Sequence, residues 1–163
     1  MLNAREFRAA MAKLPSGVCV ITTNGPAGRG GFTASAVCSV TDSPPTVLVC
    51  MNRLSVQRET FANNGVLCVN VLAGDQGDVS LAFSQSAREG TAKRFETGLW
   101  TEVNHGLPAL RGALVSLACR VTNTVEVGSH NVLFSEVDAV IDSPVESGLV
   151  YFKRAYCHPA PIG

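Results

Sequence analysis

The sequence predicts a mainly β fold: an antiparallel sheet closed, or nearly closed, into a barrel, with a few short helices. Three observations carry that expectation. Runs rich in Val, Ile and Thr recur at 18–23, 33–40, 46–51 and 66–72, and again at 113–122, 132–141 and 149–152. Gly, Pro and Asn punctuate them at the short intervals that antiparallel connections need. The βαβ alternation of a parallel dinucleotide-binding sheet is missing.

In chain order, Phe7, Ala10, Met11 and Leu14 fall at helical spacing and make one apolar stripe, expected to pack on the body of the protein, on a helix that Pro15 and Gly17 end. The strand 18–23 follows. The glycine-rich stretch 24–31 reads as a hairpin loop leading into the strand 33–40, and Pro44-Pro45 turns the chain into 46–51. A short helix after Ser55 carries Val56, Thr60 and Phe61. After the strand 66–72, a second helix with Asp75 as its cap puts Val79, Ala82 and Phe83 on one face. A polar middle section spans 84–106, and three further strands complete the sheet. With 163 residues, 46% hydrophobic and 16% charged, the chain suits one domain, 1–163, with a well-buried core.

Thirteen basic and thirteen acidic residues balance, so the chain lacks the global field that nucleic acid or an anionic membrane surface recruits, and any anion site must be local. No apolar run approaches the roughly 20 residues of a membrane span, and the polar start 1–8 is unlike a signal sequence. A soluble, cytoplasmic protein is expected. Cys19, Cys38, Cys50, Cys68 and Cys119 lie in strand-like runs without Cys-x-x-Cys pairs and read as reduced core thiols, with no metal site. Only Cys157 and His158 adjoin. Neither a Gly-x-Gly-x-x-Gly fingerprint, a Walker lysine motif nor a Gly-x-Ser-x-Gly elbow is present. Asp42, Asp75, Asp78, Glu96 and Glu102 stand in turn or helix positions, where capping and solvation account for them better than acid catalysis.

The small-residue run Thr33-Ala34-Ser35-Ala36-Val37, beside Gly30-Gly31, is either an ordinary barrel strand or a bare wall. As a wall, its N–H and hydroxyl groups suit the carbonyl and ring-nitrogen edge of a flavin. Met51, Asn52, Arg53 and Ser55 stand where a strand gives way to a helix, and free N–H groups with a cation and a hydroxyl suit phosphate there, a plain serine cap being the alternative. Arg94 adds a second cation or is a solvated surface arginine. Phe83 joins this cofactor-binding set. Gly128-Ser129-His130 projects an imidazole from a loop, into solvent or over a cleft. Tyr151, Lys153 and Arg154 put an aromatic face and cations where they face a nicotinamide or its phosphates, or else decorate an edge strand. The pattern as a whole points to a cleft for a planar, phosphate-bearing cofactor.

The ordered motifs Phe7-Arg8-x-Ala10-Met11, Thr33-Ala34-Ser35-Ala36-Val37-Cys38-Ser39-Val40, Pro44-Pro45, Asn52-x-x-Ser55, Cys68-Val69-Asn70-Val71-Leu72, Arg94-Phe95, Gly128-x-His130 and Tyr151-Phe152-Lys153-Arg154 cover nearly the whole chain. In them the sequence resembles the short-chain flavin reductases of the FMN-binding split-barrel class. These are reductase components of two-component aromatic monooxygenases, such as the 4-hydroxyphenylacetate 3-monooxygenase reductases.

The resemblance implies a homodimer with a flavin groove near the subunit interface, walled by Thr33 to Val37 and Met51 to Ser55. It implies hydride transfer from NADH or NADPH to FMN or FAD, and release of reduced flavin to a partner flavin-dependent oxygenase. No catalytic side chain is expected, because stacking of the two rings suffices. It associates His130 with the nicotinamide nucleotide. The sequence departs from some relatives at Gly28-Arg29-Gly30-Gly31 and at Asn131. The rival readings are a non-catalytic flavin store or sensor on the same barrel, and a split barrel given to pyridoxine-phosphate oxidation or haem handling. The latter would need a denser set of phosphate-binding Arg and Lys.

Overall fold

The computed structural model describes residues 2–85, 90–160 and 162; Met1 and residues 86–89 of the polar middle section lie outside them. Its strands are β1 (Ser16–Gly17), β2 (Cys19–Thr23), β3 (Gly30–Ala34), β4 (Val37–Asp42), β5 (Pro45–Asn52), β6 (Val66–Val71), β7 (Trp100–Val103), β8 (Leu107–Leu110), β9 (Val115–Val127), β10 (His130–Asp142), β11 (Val150–Phe152) and β12 (Ala155–Cys157). The helices are α1 (Ala4–Met11), α2 (Arg58–Asn64), α3 (Gly77–Ser84) and α4 (Thr91–Arg94). None is long and apolar enough to cross a membrane.

The main sheet is seven-stranded and antiparallel, in the order β3-β2-β6-β9-β10-β5-β4. Its two edge strands, β3 and β4, are consecutive in the chain and separated only by Ser35 and Ala36. Laid flat, such a sheet would hold its edges about 29 Å apart at ~4.8 Å per strand. The linking residues reach about 11 Å at most. The sheet is therefore rolled, with a split where β3 passes into β4. This corrects the expected continuous strand 33–40: the chain breaks at Ser35-Ala36 because it crosses from one edge of the roll to the other. Gly30 and Gly31, expected in a loop, instead pair with Thr23 and Thr22.

Strand β2 is buried along its whole length. Cys19 and Ile21 face the interior of the roll with Val49, Met51, Phe61, Leu67 and Leu133, whereas Val18 and Val20 face a second cluster under α3 with Leu72, Val79 and Phe83. Burial on both faces is why Val18 to Ile21 read as consecutive apolar residues without alternation, and why Thr22 and Thr23 at the strand's end are buried with their hydroxyls bonded. The second cluster is closed by Phe95 and Trp100, whose rings stand 5.1 Å apart and lie 5.0 and 5.4 Å from Phe83. Trp100 opens the β7–β8 hairpin, which the expected polar middle section concealed. Leu107 of that hairpin is fully buried beside Cys68 and Ala118.

Asn70 in β6 fastens the hairpin to the sheet. Its Nδ2 donates to the Val20 carbonyl and to Thr22 Oγ1 at 3.0 and 3.3 Å. Its Oδ1 accepts from the Leu110 N–H and from Ser116 Oγ, both at 2.8 Å. Thr22 Oγ1 in turn donates to the Pro108 carbonyl at 2.6 Å. Every partner is buried, so each bond answers a group that water cannot reach.

Three other expectations are corrected. Helix α1 forms with a full capping box between Asn3 and Glu6, but its apolar stripe does not pack: Phe7, Met11 and Leu14 are 54%, 45% and 55% exposed. Amphipathic spacing defines a face, not what covers it. Asp75 does not cap α3; Gln76 holds the N-cap position, and its Oε1 accepts instead from the Ala73 N–H. Of the expected core thiols, Cys19, Cys68 and Cys119 are buried, while Cys38 is exposed and Cys50 half-buried, since even-numbered residues of β4 and β5 point out of the roll.

Burial alone pushes the Cys19 thiol up to about 12, and burial is the leading cause of the same rise at Cys68 and Cys119. A thiol whose folded pKa is raised binds its proton more tightly when folded, so its stabilisation is complete below the unfolded pKa and lost as pH rises toward the folded value. The unfolding free energy from urea titrations is expected to hold steady to pH 8 and to fall between pH 9 and 11, by a few kcal/mol in order of magnitude, with the midpoints falling alongside. Constant midpoints across that window would contradict the burial of these thiols.

Candidate functional site

A cavity of about 870 Å³ opens at the split of the sheet. One wall is the β3–β4 crossing: Phe32, Thr33, Ala34, Ser35 and Ala36. β3 has a ladder partner on one side only, β2, so its other edge presents main-chain polar groups to the cavity. The Thr33 hydroxyl is not among the free donors, since it donates to the Ser80 carbonyl at 2.6 Å.

Behind this wall Gly31 is held from three directions. Its N–H donates to Gln57 Oε1 at 2.9 Å and its carbonyl accepts from Arg94 Nη1 at 2.6 Å. A β-carbon there would lie 2.5 Å from the Phe83 ring, and one on Gly30 would lie 2.6 Å from Gln57 Oε1. Absence of a side chain at both positions is thus a packing requirement.

Arg94 lines the cavity and is 8% exposed, which excludes the solvated-arginine alternative. Burial draws its pKa below the ordinary arginine value. Two of its N–H groups go to the Gly31 and Gln85 carbonyls. No carboxylate among the described residues lies within ion-pair distance of it. A guanidinium has five donors and cannot be discharged in a protein, so this one retains a net charge and spare donors beside the cavity.

The opposite wall is Cys50, Met51, Asn52, Leu54 and Ser55. Here the chain makes a turn before the helix begins: the Ser55 N–H donates to the Asn52 carbonyl at 3.0 Å and the Leu54 N–H to Asn52 Oδ1 at 2.9 Å. Helix α2 starts only at Arg58, so the expected strand-to-helix junction at Ser55 is a turn. Val37 and Arg53 do not line the cavity. Val37 packs against the interior of the roll, and Arg53 pairs with Glu126 at 3.1 Å.

The far side gathers residues distant in sequence. His130, first in β10, stands opposite Asn52, with its Nδ1 2.9 Å from Ser129 Oγ. Strands β11 and β12 form a hairpin whose two turn residues, Lys153 and Arg154, have φ of 49° and 67°. That left-handed pair matches the twist of a tight hairpin but strains residues other than glycine. The turn is tied to the end of α1 by the Lys153 N–H, 2.7 Å from the Ala12 carbonyl. It puts Tyr151 and Arg154 in the cavity wall, while Lys153 lies over Phe152 outside it.

Gln57, Ser80 and Tyr156 also line the cavity and were not anticipated. Tyr156 is the cross-strand partner of Tyr151, with rings 5.6 Å apart, and its hydroxyl lies 2.7 Å from Ser80 Oγ. Had Lys153-Arg154 been read as a two-residue turn, register would have paired the two tyrosines.

The cavity falls in the about 300–1,000 Å³ range of small-molecule sites. A bare backbone wall, apolar lining from Val18, Phe32 and Met51, and a buried cation with no carboxylate near it among the described residues fit a planar ring system bearing an anionic group.

Comparison with known proteins agrees. Residues 11–160 match the model of the flavin reductase like domain. The FMN reductase (NADH) RutF of Ancylobacter novellus is 47% identical over 155 residues, 95% of this chain and 84% of that protein. Among solved structures, the NADH:FAD oxidoreductase SgcE6 of Streptomyces globisporus superposes with a TM-score of 0.90 at 25% identity, covering 99% of this chain and 98% of that one. The styrene monooxygenase flavin reductase of Pseudomonas putida S12 does so with a TM-score of 0.84 at 28% identity, covering 96% and 99%.

Proposed function

The chain belongs to the family of flavin reductase like domains, and we propose from that premise that it is a single-domain enzyme which reduces free FMN, or FAD, with NADH and releases the reduced flavin to a flavin-dependent oxygenase. The observation that carries this reading is the open cavity at the split, with main chain exposed on one wall and, beside it, the buried Arg94, which has no ion-pair partner among the described residues.

Thr33, Ala34, Ser35 and Ala36 form the wall against which the flavin ring lies, with Met51, Asn52 and Ser55 opposite and Phe83 fixing the wall from behind. Arg94 receives the flavin phosphate. His130, Tyr151 and Arg154 hold the nicotinamide nucleotide. Bound flavin supplies the hydride acceptor and NADH the donor, so the reaction needs no protein acid or base. The residues of this chain orient two flat partners and exclude other geometries. Small side chains and few hydrogen bonds on the flavin wall suit modest affinity, as release to a second protein requires.

We extend the proposal to a cytoplasmic homodimer. Leu48, Cys50, Val132 and Phe134 form a half-exposed apolar patch on the outer face of β5 and β10, which the 41% exposed Val125 and the exposed Cys38 continue. Contiguous apolar surface of this kind marks an interface. Sedimentation equilibrium is expected to give twice the 17.1 kDa chain mass; a monomer at micromolar concentration would contradict it.

Steady-state assay tests the activity. NADH oxidation is expected to depend on added flavin and to exceed the NADPH rate. His130→Ala is expected to raise the NADH KM about tenfold, the worth of one good hydrogen bond, with the FMN KM unchanged. A yellow protein without flavin-dependent NADH oxidation would mark a flavin store instead.

A further inference from the structure

His130 follows a loop of only two residues, Gly128 and Ser129, between the paired Val127 of β9 and His130 of β10. This loop is exposed, and a β-carbon on Gly128, whose φ is +53°, would meet nothing within 4 Å. Beyond the Val127–His130 pair that closes it, the loop is met by Arg53. Its main-chain N–H donates to the Ser129 carbonyl at 2.9 Å, and its Nη1 donates to the Gly128 carbonyl at 3.2 Å. Both loop carbonyls thus end on one residue.

The grip is itself braced. Arg53 Nη2 lies 3.1 Å from Glu126 Oε2, and the second carboxylate oxygen lies 3.9 Å from Arg58. Ser129, held by its carbonyl, presents its hydroxyl to His130 Nδ1 at 2.9 Å. The chain of contacts runs Glu126, Arg53, loop, Ser129, imidazole, and it leaves Nε2 of His130 as the ring nitrogen for a ligand. Arg94 lines the cavity with no carboxylate near it among the described residues, whereas Arg53 is paired and outside the wall. The Arg53 guanidinium is turned to Glu126 and the Gly128 carbonyl, away from the cavity where a phosphate would sit.

We propose that Arg53 is a positioning residue for His130, and that it acts on nicotinamide recognition rather than on the flavin phosphate. This rests on the assignment of His130 to the nicotinamide nucleotide. Four proteins test it: His130→Ala, Arg53→Ala, Arg53→Lys and the double variant His130→Ala/Arg53→Ala, each assayed against NADH, FMN and riboflavin, which lacks the phosphate. Arg53→Ala is expected to raise the NADH KM about three- to tenfold, in keeping with one partly exposed ion pair and its hydrogen bond, while leaving the FMN KM within about twofold. Arg53→Lys is expected to restore part of the loss through Glu126. The double variant is expected to be no worse than His130→Ala, because positioning has no effect once the imidazole is gone.

A rise in the FMN KM with riboflavin unaffected would overturn the proposal in favour of a phosphate contact. Additive losses in the double variant would overturn it too. If His130→Ala shifts the NADH KM and Arg53→Ala does not, the proposal alone falls; if His130→Ala shifts nothing, it falls together with the assignment of His130.

Discussion

Replacing Asn70 by alanine is expected to destabilise the protein by about 3–5 kcal/mol, the range for breaking a buried polar network. The loss comes less from the bonds than from what they leave behind. Without the carboxamide, the Leu110 N–H, the Val20 carbonyl and the Ser116 hydroxyl lose a buried partner at once. Each such group costs about 1–3 kcal/mol when water cannot replace the bond. Trp100, the single tryptophan, sits on the hairpin that Asn70 anchors. Its emission is expected to shift to the red in the variant, before global unfolding in urea. A loss under 1 kcal/mol with unchanged emission would show that the hairpin is held by apolar packing alone.

Arg94→Ala is expected to have the largest effect on function. It removes a charged donor from the cavity, and hydrogen bonds to charged groups are worth about 1.5–3 kcal/mol, or about 10- to 100-fold in affinity. The FMN KM is expected to rise by that factor. Riboflavin carries no phosphate and is expected to change less than about threefold by the same reasoning. Because Arg94 also holds the Gly31 and Gln85 carbonyls, Arg94→Lys serves as the companion: it keeps the charge but not the two-armed grip, and is expected to recover FMN preferentially. Equal losses for FMN and riboflavin would mean that Arg94 only shapes the wall.

The rolled sheet was legible because strands such as β2 and β6 are buried and apolar, while β5 carries the alternation of a half-buried strand. The break in β3–β4 was not, since Ser35 and Ala36 differ little from their neighbours and only the closure of the sheet requires the chain to cross there. The β7–β8 hairpin was hidden by Pro108 and by its short strands. Of the site, the small-residue run was legible as a wall, whereas the turn after Met51 was expected as the start of a helix, because Asn52 and Ser55 are residues that cap helices as readily as they make turns. What brings Gln57, Ser80 and Tyr156 to the cavity is pairing between segments far apart in the chain, and single-sequence spacing does not encode that. Arg53 shows the same limit: its charge suggested phosphate, and only the position of Glu126 and of the β9–β10 loop gives it a partner.

A crystal structure of the protein soaked with FMN tests the central claim most directly. The account predicts the isoalloxazine ring against the Thr33–Ala36 main chain, the phosphate at Arg94, and one ring face open toward His130 and Tyr151. Flavin bound elsewhere, or a cleft filled by its own side chains at saturating FMN, would contradict it.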